Sequence, residues 1–355
     1  MDAPGMLGRI NAETALLRAR METQLRQAAT GQRGERLGDL APEVPRALSL
    51  RAEIGRREAY DKAMGQALGR TAAMQDALGR MGEIAQEIRT RVVMRIDPAD
   101  PSTLATARAQ ARAALQEIAG LLNARHAGEY LFAGSDLANP PVPDPQGIAD
   151  GPLAVGIAAE VASLAPGNAA AVLQATRGLA QSDAAGVSPF SPWLEDPAGG
   201  AAEERRVVPS ADGEAIAYGL FANRNAAASS RGDTTGAWAR DLLRSLMTLA
   251  ALTPAQMAAG ADFSQVTASV RDGLRSAEDS LAEERGSLGA AERRIESARR
   301  RHEAVTGALR SQLSSVEEVD LAEALTRLQG TRSALEASYR AMGALAELSL
   351  ARFLR

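Results

Sequence analysis

The sequence predicts a mainly α protein: a long antiparallel helical bundle or coiled coil with paired terminal helices and a small mixed or β-rich insertion. Three observations predict it. Apolar residues recur at alternating steps of four and three over most of the 355 residues, the spacing that gathers one stripe on a helix. Ten of the sixteen prolines fall between 139 and 236, where a long helix cannot pass. Aromatic residues are only 3% against 45% hydrophobic, so burial rests on Ala, Leu, Val, Ile and Met, which favours helix against helix.

The first element is thin, with Ile10, Leu17, Met21 and Ala28 before Gly31. A stripe so narrow cannot hold a helix in water without a partner. From Leu50 to about Arg95 the positions Met74, Leu78, Met81, Ala85, Ile88 and Val92 continue the period, in a helix on the order of 70 Å long. Asp97, Pro98, Asp100 and Pro101 end it, and Ser102 is placed to cap the next helix. That helix carries Leu104, Arg108, Ala111, Leu115, Ile118 and Leu122, with Arg108 as the polar exception.

Within the proline-rich middle, Ala169 to Ala180 reads as a short helix. Arg205 to Val208 and Ala215 to Phe221 flank Asp212-Gly213, a dipeptide that favours a hairpin turn. The helical period returns at Asp241 and runs from Val266 for about fifty residues, its stripe skipping Glu284 and Gln312. Near Val316 to Leu321 the phase slips, marking a joint. Beyond it Leu321, Leu328, Leu335, Met342 and Ser349 repeat every seven residues, with Leu325, Tyr339, Ala346 and Phe353 interleaved and Arg332 as the exception. The two ends carry complementary deficits and are expected to pair, with each other or with neighbouring copies. The expected division is residues 1–40 with 320–355, residues 41–138 with 237–319, and the variable segment 139–236.

Composition excludes much chemistry. Without cysteine there is no disulfide, thiolate metal site or cysteine nucleophile, and two histidines, His126 and His302, cannot build an imidazole cage. Lys62 is the sole lysine, and 40 basic against 44 acidic residues leave a net charge of -4 with no nucleic-acid footprint. No apolar run reaches the roughly 18 residues of a membrane span, and residues 1–20 lack a signal-peptide core. His302-Glu303 opens a zincin-like pattern, but Thr306 stands where the second histidine belongs, so His302 reads as a packed, hydrogen-bonded residue. His126 reads as a partner of a helix C-terminus. The cluster Arg293, Arg294, Arg299, Arg300 and Arg301 is interleaved with Glu292, Glu296 and Glu303 and reads as a solvated face. Arg231-Gly232-Asp233 matches an integrin-binding tripeptide and equally an ordinary Gly-Asp turn. No catalytic, cofactor or metal site emerges, and the chain is expected not to be an enzyme.

Two separated stretches resemble a known family. Gly128 to Ser135, containing Tyr130, Leu131, Phe132, Ala133 and Gly134 and followed by Pro140-Pro141-Val142, is similar to a signature of the hook-filament junction proteins (hook-associated protein 3) of the bacterial flagellin family. Val319 to Gln329, with Leu335 to Tyr339 and Ser349-Leu350, resembles that family's closing helix. Gly31 to Leu50 and Tyr60 follow its N-terminal outline, with Gly38-Asp39-Leu40-Ala41-Pro42 in place of the usual acidic Asp-Asp-Pro. The resemblance spans roughly residues 5–142 and 205–355.

It implies a flagellin-like fold: an inner assembly domain of terminal helices, a long-helix α domain and an outer insertion. It also implies unfolded export by the flagellar type III system and an extracellular place at the hook-filament junction. The implied partners are the hook-side junction protein (hook-associated protein 1), flagellin, further copies of the chain and an export chaperone, with neither nucleic acid nor membrane insertion. The expected assembly seam is Leu321, Leu325, Leu328, Leu335, Tyr339, Met342 and Phe353 with Ile10, Leu17 and Met21. Filament flagellin itself is the near alternative, and a surface adhesin acting through the middle segment is the remote one.

Overall fold

The computed structural model describes residues 3–34 and 36–353, with side chains described over 8–34 and 36–344. It is mostly helical, as the apolar period requires. Helices α1 (Ala3–Thr30), α2 (Val44–Glu87) and α3 (Pro101–Leu122) are followed by a minimal hairpin, β1 (Arg125–His126) and β2 (Glu129–Tyr130). Then come α4 (Pro152–Ala162), α5 (Ala169–Gln181), α6 (Pro192–Glu195) and a second hairpin, β3 (Val207–Ala211) with β4 (Glu214–Ala217). Helices α7 (Trp238–Ala251), α8 (Pro254–Met257), α9 (Ala261–Glu317) and α10 (Leu321–Phe353) complete the chain. The chain divides into two compact units, residues 1–59 with 301–355 and residues 60–300.

In the first unit α1 and α10 pair antiparallel. Gly31 ends α1 with φ +72°, a left-handed conformation that glycine adopts without strain, and its amide closes on the Gln27 carbonyl at 2.8 Å. The chain then bridges to the joint between α9 and α10: Arg33 N donates to the Glu317 carbonyl (2.7 Å), and Val319 N to the Gly31 carbonyl (2.9 Å). A small cluster of Leu40, Ala47 and Val316, flanked by Val44 and Leu313, seals this corner.

In the second unit one continuous apolar core runs from Met64 to Ala298. Helix α7 lies at its centre, buried from Trp238 to Ala250 and packed against α3, α4 and α5. The segment 139–236 is mixed rather than β-rich: α4 and α5 outweigh the single β3–β4 hairpin, whose turn is Asp212-Gly213. Pro152 and Pro192 sit at helix starts, where a missing N–H costs nothing, so proline there opens helices instead of preventing them.

Three local expectations change. The helix from Leu50 does not stay α to Arg95; it widens into a π turn at Ile88–Val92 and tightens to a 3-10 turn at Val93–Arg95. The cap of α3 is Asp100, whose carboxylate accepts from Ser102 N at 2.9 Å, because Pro101 occupies the first helical position and the cap falls two residues before Ser102. His126 is not at a helix end but in β1, and its ring lies where a Cβ at Gly69 would come within 3.1 Å of Nε2. Glycine at 69 is what lets the hairpin approach α2.

Two of the polar exceptions in the apolar stripes, Arg108 and Glu284, have specific partners. Arg108 Nε donates to the Ala250 carbonyl (3.1 Å), one of the acceptors left over at the end of α7. Glu284, fully buried, accepts from the amides of Ala226 (2.6 Å), Ala227 (3.0 Å) and Ala228 (3.1 Å), fastening the returning loop to α9.

Candidate assembly interface

The α1–α10 pair places most of the residues expected at a seam. Thr14 and Ser338 hydroxyls meet at 2.7 Å, which fixes the antiparallel register. That register sets Ile10 level with Met342, Leu17 with Leu335, Met21 with Thr331, Gln24 with Leu328 and Ala28 with Ala324. Thr14, Ala324 and Leu335 are buried, and the other members of these layers are half-buried. Ile10, Leu17, Met21, Leu328, Leu335 and Met342 therefore face one another within one chain.

Leu321, Leu325 and Tyr339 do not. They are 51%, 51% and 40% exposed. At about 100° per residue they fall on one side of the α10 seam, the flank where Arg18 meets Tyr339. There Arg18 Nε donates to the Tyr339 hydroxyl (2.6 Å), and its guanidinium carbon lies 5.3 Å from the ring centroid. Leu25, 48% exposed, lies on the same flank of α1. The expected seam is thus two surfaces, an inner one closed by the chain itself and an outer apolar flank left in water. The Phe353 side chain lies outside the described residues. Thr14, Gln24, Thr331 and Ser338 complete the inner seam, and hydrophobic pattern alone does not mark them.

The signature run is a buried root. Ala127 and Gly128, both at positive φ, make the two-residue turn of the β1–β2 hairpin. Tyr130 is half-buried beneath the Arg125 guanidinium, 4.7 Å from its ring centroid. Arg70, buried on α2, bonds the Tyr130 carbonyl and Glu129 (3.0 Å). Burial, then the nearby Arg206 charge, lowers the Arg70 pKa. Leu131, Phe132 and Ala133 are 2%, 0% and 1% exposed, and Ala222 N donates to the Phe132 carbonyl at 3.0 Å. Gly134 turns the chain with φ +64°, and a Cβ there would approach Glu203 Oε2 to 2.5 Å. Phe132 and Ala133 thus tie the start of the middle segment to its return at 221–222, while Leu131 N bonds the Ala124 carbonyl at 2.9 Å.

The middle segment holds a buried ionic group. Arg240 spans Glu195 (2.8 Å) and Asp183 and also bonds the Asn223 and Ala180 carbonyls (3.0 Å each). Burial, and then Asp183, pushes the Glu195 carboxyl up to about 7, while its hydrogen bond to Glu195 holds Asp183 below the usual range. Arg240 and Glu195 are buried and Asp183 lies at the surface, so the cluster works as a staple between the core and the edge of the fold. In the Arg231-Gly232-Asp233 turn the Asp233 carboxylate is ion-paired with Arg177. His302 is 5% exposed and meets Arg57 Nη1 at 3.3 Å through Nδ1, a packed histidine. Among the described residues no three His, Cys, Asp or Glu side chains could share a metal ion, and no helix is long and apolar enough to cross a membrane.

Two family models match the chain. That of the bacterial flagellin N-terminal helical region covers residues 10–136, and that of the bacterial flagellin C-terminal helical region covers residues 272–354, together more than half of the sequence. The chain belongs to the flagellin family. No curated protein matches it. Flagellin-family membership makes it a structural subunit of the bacterial flagellum, extracellular, self-assembling and serving motility. The N-terminal match closes two residues after Gly134, and the C-terminal match begins at 272, later than the resemblance expected from 205.

Proposed function

We propose that this flagellin-family chain is the hook-filament junction protein. The observation that carries the reading is the run Tyr130-Leu131-Phe132-Ala133-Gly134, which supports the junction class over filament flagellin and whose residues root the middle segment. In this reading residues 1–40 and 320–355 form the inner assembly domain, residues 41–138 and 237–319 the α domain, and residues 139–236 the outer segment. Hook-associated protein 1 lies on the hook side and flagellin on the other, and a chaperone escorts the chain to the flagellar type III exporter.

The assembly step follows from the divided seam. The inner layers hold α1 against α10, but two helices joined by so narrow a strip are marginal in water. The flank of Leu25, Leu321, Leu325 and Tyr339 supplies the apolar area a neighbouring subunit covers, and exposed patches of this kind mark interaction surfaces. Burial there couples ordering of the ends to incorporation.

Immunogold labelling of flagella with antibody against residues 139–236 tests the assignment. A junction protein gives one band at the hook boundary and none along the filament. Continuous filament labelling means the chain is filament flagellin. The adhesin alternative loses its motif because Asp233 is engaged by Arg177; unchanged surface attachment by Asp233→Glu cells would remove it altogether.

A further inference from the structure

Two grooves of opposite sign lie on each copy. The first, about 530 Å³, flanks the loop after α1 and is lined by Arg26, Arg33, Arg36, Thr23, Gln27 and Asp39. The stretch from Arg18 to Arg36 holds five arginines against Glu22 and Glu35. Arg33 and Arg36 are exposed and form no ion pair with a carboxylate side chain among the described residues; the Arg33 Nε is spent on the Glu318 carbonyl at 3.0 Å. Both side chains are exposed, while Gln27 Nε2 bonds the Arg33 carbonyl (2.8 Å) and Arg36 N bonds Asp39 Oδ2 (3.0 Å), which hold these two residues in place.

The second groove, about 370 Å³, lies along α9 and includes Asp272, Asp279 and Glu283 with Arg275 and Arg231. Asp272 and Asp279 are exposed two turns apart, about 10 Å along the helix axis. Neither has an ion-pair partner among the described residues.

We infer that the basic groove around Arg33 and Arg36 receives the acidic edge Asp272–Asp279 of a second copy of this chain. The inference rests on the self-assembly proposed above and adds a specific contact to it. A subunit that builds a ring or helix needs two different surfaces that fit each other, since a head-to-tail contact propagates where a two-fold one closes. The two grooves are such a pair: opposite in charge, carried by every copy, and each presenting two charges, Arg33 and Arg36 on one and Asp272 and Asp279 on the other, that form no ion pair among the described residues, while Arg231 and Glu283 of the acidic groove pair with each other at 3.8 Å. Arginine suits the contact because its planar fork meets a carboxylate bidentately. Opposed charges also orient the incoming copy before the apolar flank is buried.

The test is a charge exchange in the full-length chain, expressed in cells lacking their own copy, with the protein on sheared flagella measured against that in the medium. Arg33→Glu with Arg36→Glu is expected to lower the flagellum-bound fraction roughly tenfold or more, as is Asp272→Arg with Asp279→Arg. The four substitutions together are expected to restore most of it, and Arg33→Lys with Arg36→Lys to retain it. Circular dichroism of each purified variant checks folding, which exposed substitutions leave intact. Wild-type incorporation by either charge-reversed variant overturns the inference, as does failure of the fourfold variant to recover while folded. Failure of the unaltered chain to incorporate at all would instead overturn the self-assembly reading.

Discussion

Truncating Leu335 to alanine probes the inner seam where it is best covered. Leu335 is 7% exposed and sits level with Leu17 across the α1–α10 pair. Burying a leucine contributes about 1.5–3 kcal/mol. The larger losses of closed cores include a cavity term, and here water reaches both edges of a two-helix seam, so about 2 kcal/mol is expected. Since about 1.4 kcal/mol is a factor of ten, the opening equilibrium of the pair shifts roughly thirtyfold. Hydrogen exchange on the free chain reads this directly. Amides of both α1 and α10 lose about thirtyfold protection, while those of buried α7 in the other unit keep theirs. If α10 loosens and α1 does not, the two helices do not stabilise each other and the seam is misassigned. If α7 loosens equally, the pair is not a separate cooperative element.

Other substitutions test the remaining structure. Glu284→Ala strands the three amides from Ala226 to Ala228 and should destabilise the second unit by more than about 3 kcal/mol in thermal melts, whereas Glu284→Gln keeps an acceptor and costs less. Gly134→Ala meets both a positive φ and the Glu203 carboxylate, and should lower stability by about 1–3 kcal/mol in denaturant titrations. Glu195, raised to about 7 when folded from 4.5 in the open chain, favours the fold when protonated. That contribution is full below about pH 4.5 and fades as pH rises to 7, so melting temperature should fall across this window and the slope should flatten in Glu195→Gln.

Helices and their joints were legible because their signals are local. The four-three stripes, the Asp-Pro punctuation at 97–101, the phase slip before Leu321 and the Asp212-Gly213 turn each act within a few residues. The polar exceptions were legible as positions but not as partners: nothing near Arg108 or Glu284 in sequence announces the α7 carbonyl or the 226–228 amides, which arrive from about 140 and 57 residues away. Helices α4 and α6 of the middle segment were masked by the prolines that start them, whereas α5, which has none, was read from Ala169.

The seam shows the deeper limit. Two apolar rows run along α10, one through Leu328, Leu335 and Met342 and one through Leu325 and Tyr339, and hydrophobicity alone does not say which faces α1. The choice is made by small and hydroxylated residues: Thr14 against Ser338, Ala28 against Ala324, Thr331 beside Met21. These small residues allow close approach, and the Thr14–Ser338 hydroxyl pair bonds directly across that face. The row they leave outside is the one available to a neighbour.

The outer flank is therefore where the account is most exposed. Leu321→Ser, Leu325→Ser and Tyr339→Ser in one chain remove side chains that the monomer leaves about half exposed, at the cost of the Arg18–Tyr339 contact, so helicity of the purified protein should hold and its melting temperature should fall only slightly. In flagella of cells carrying only this variant, the bound fraction should drop roughly tenfold or more, with the chain recovered from the medium. A triple variant incorporated at wild-type level would show that no neighbouring subunit covers this flank.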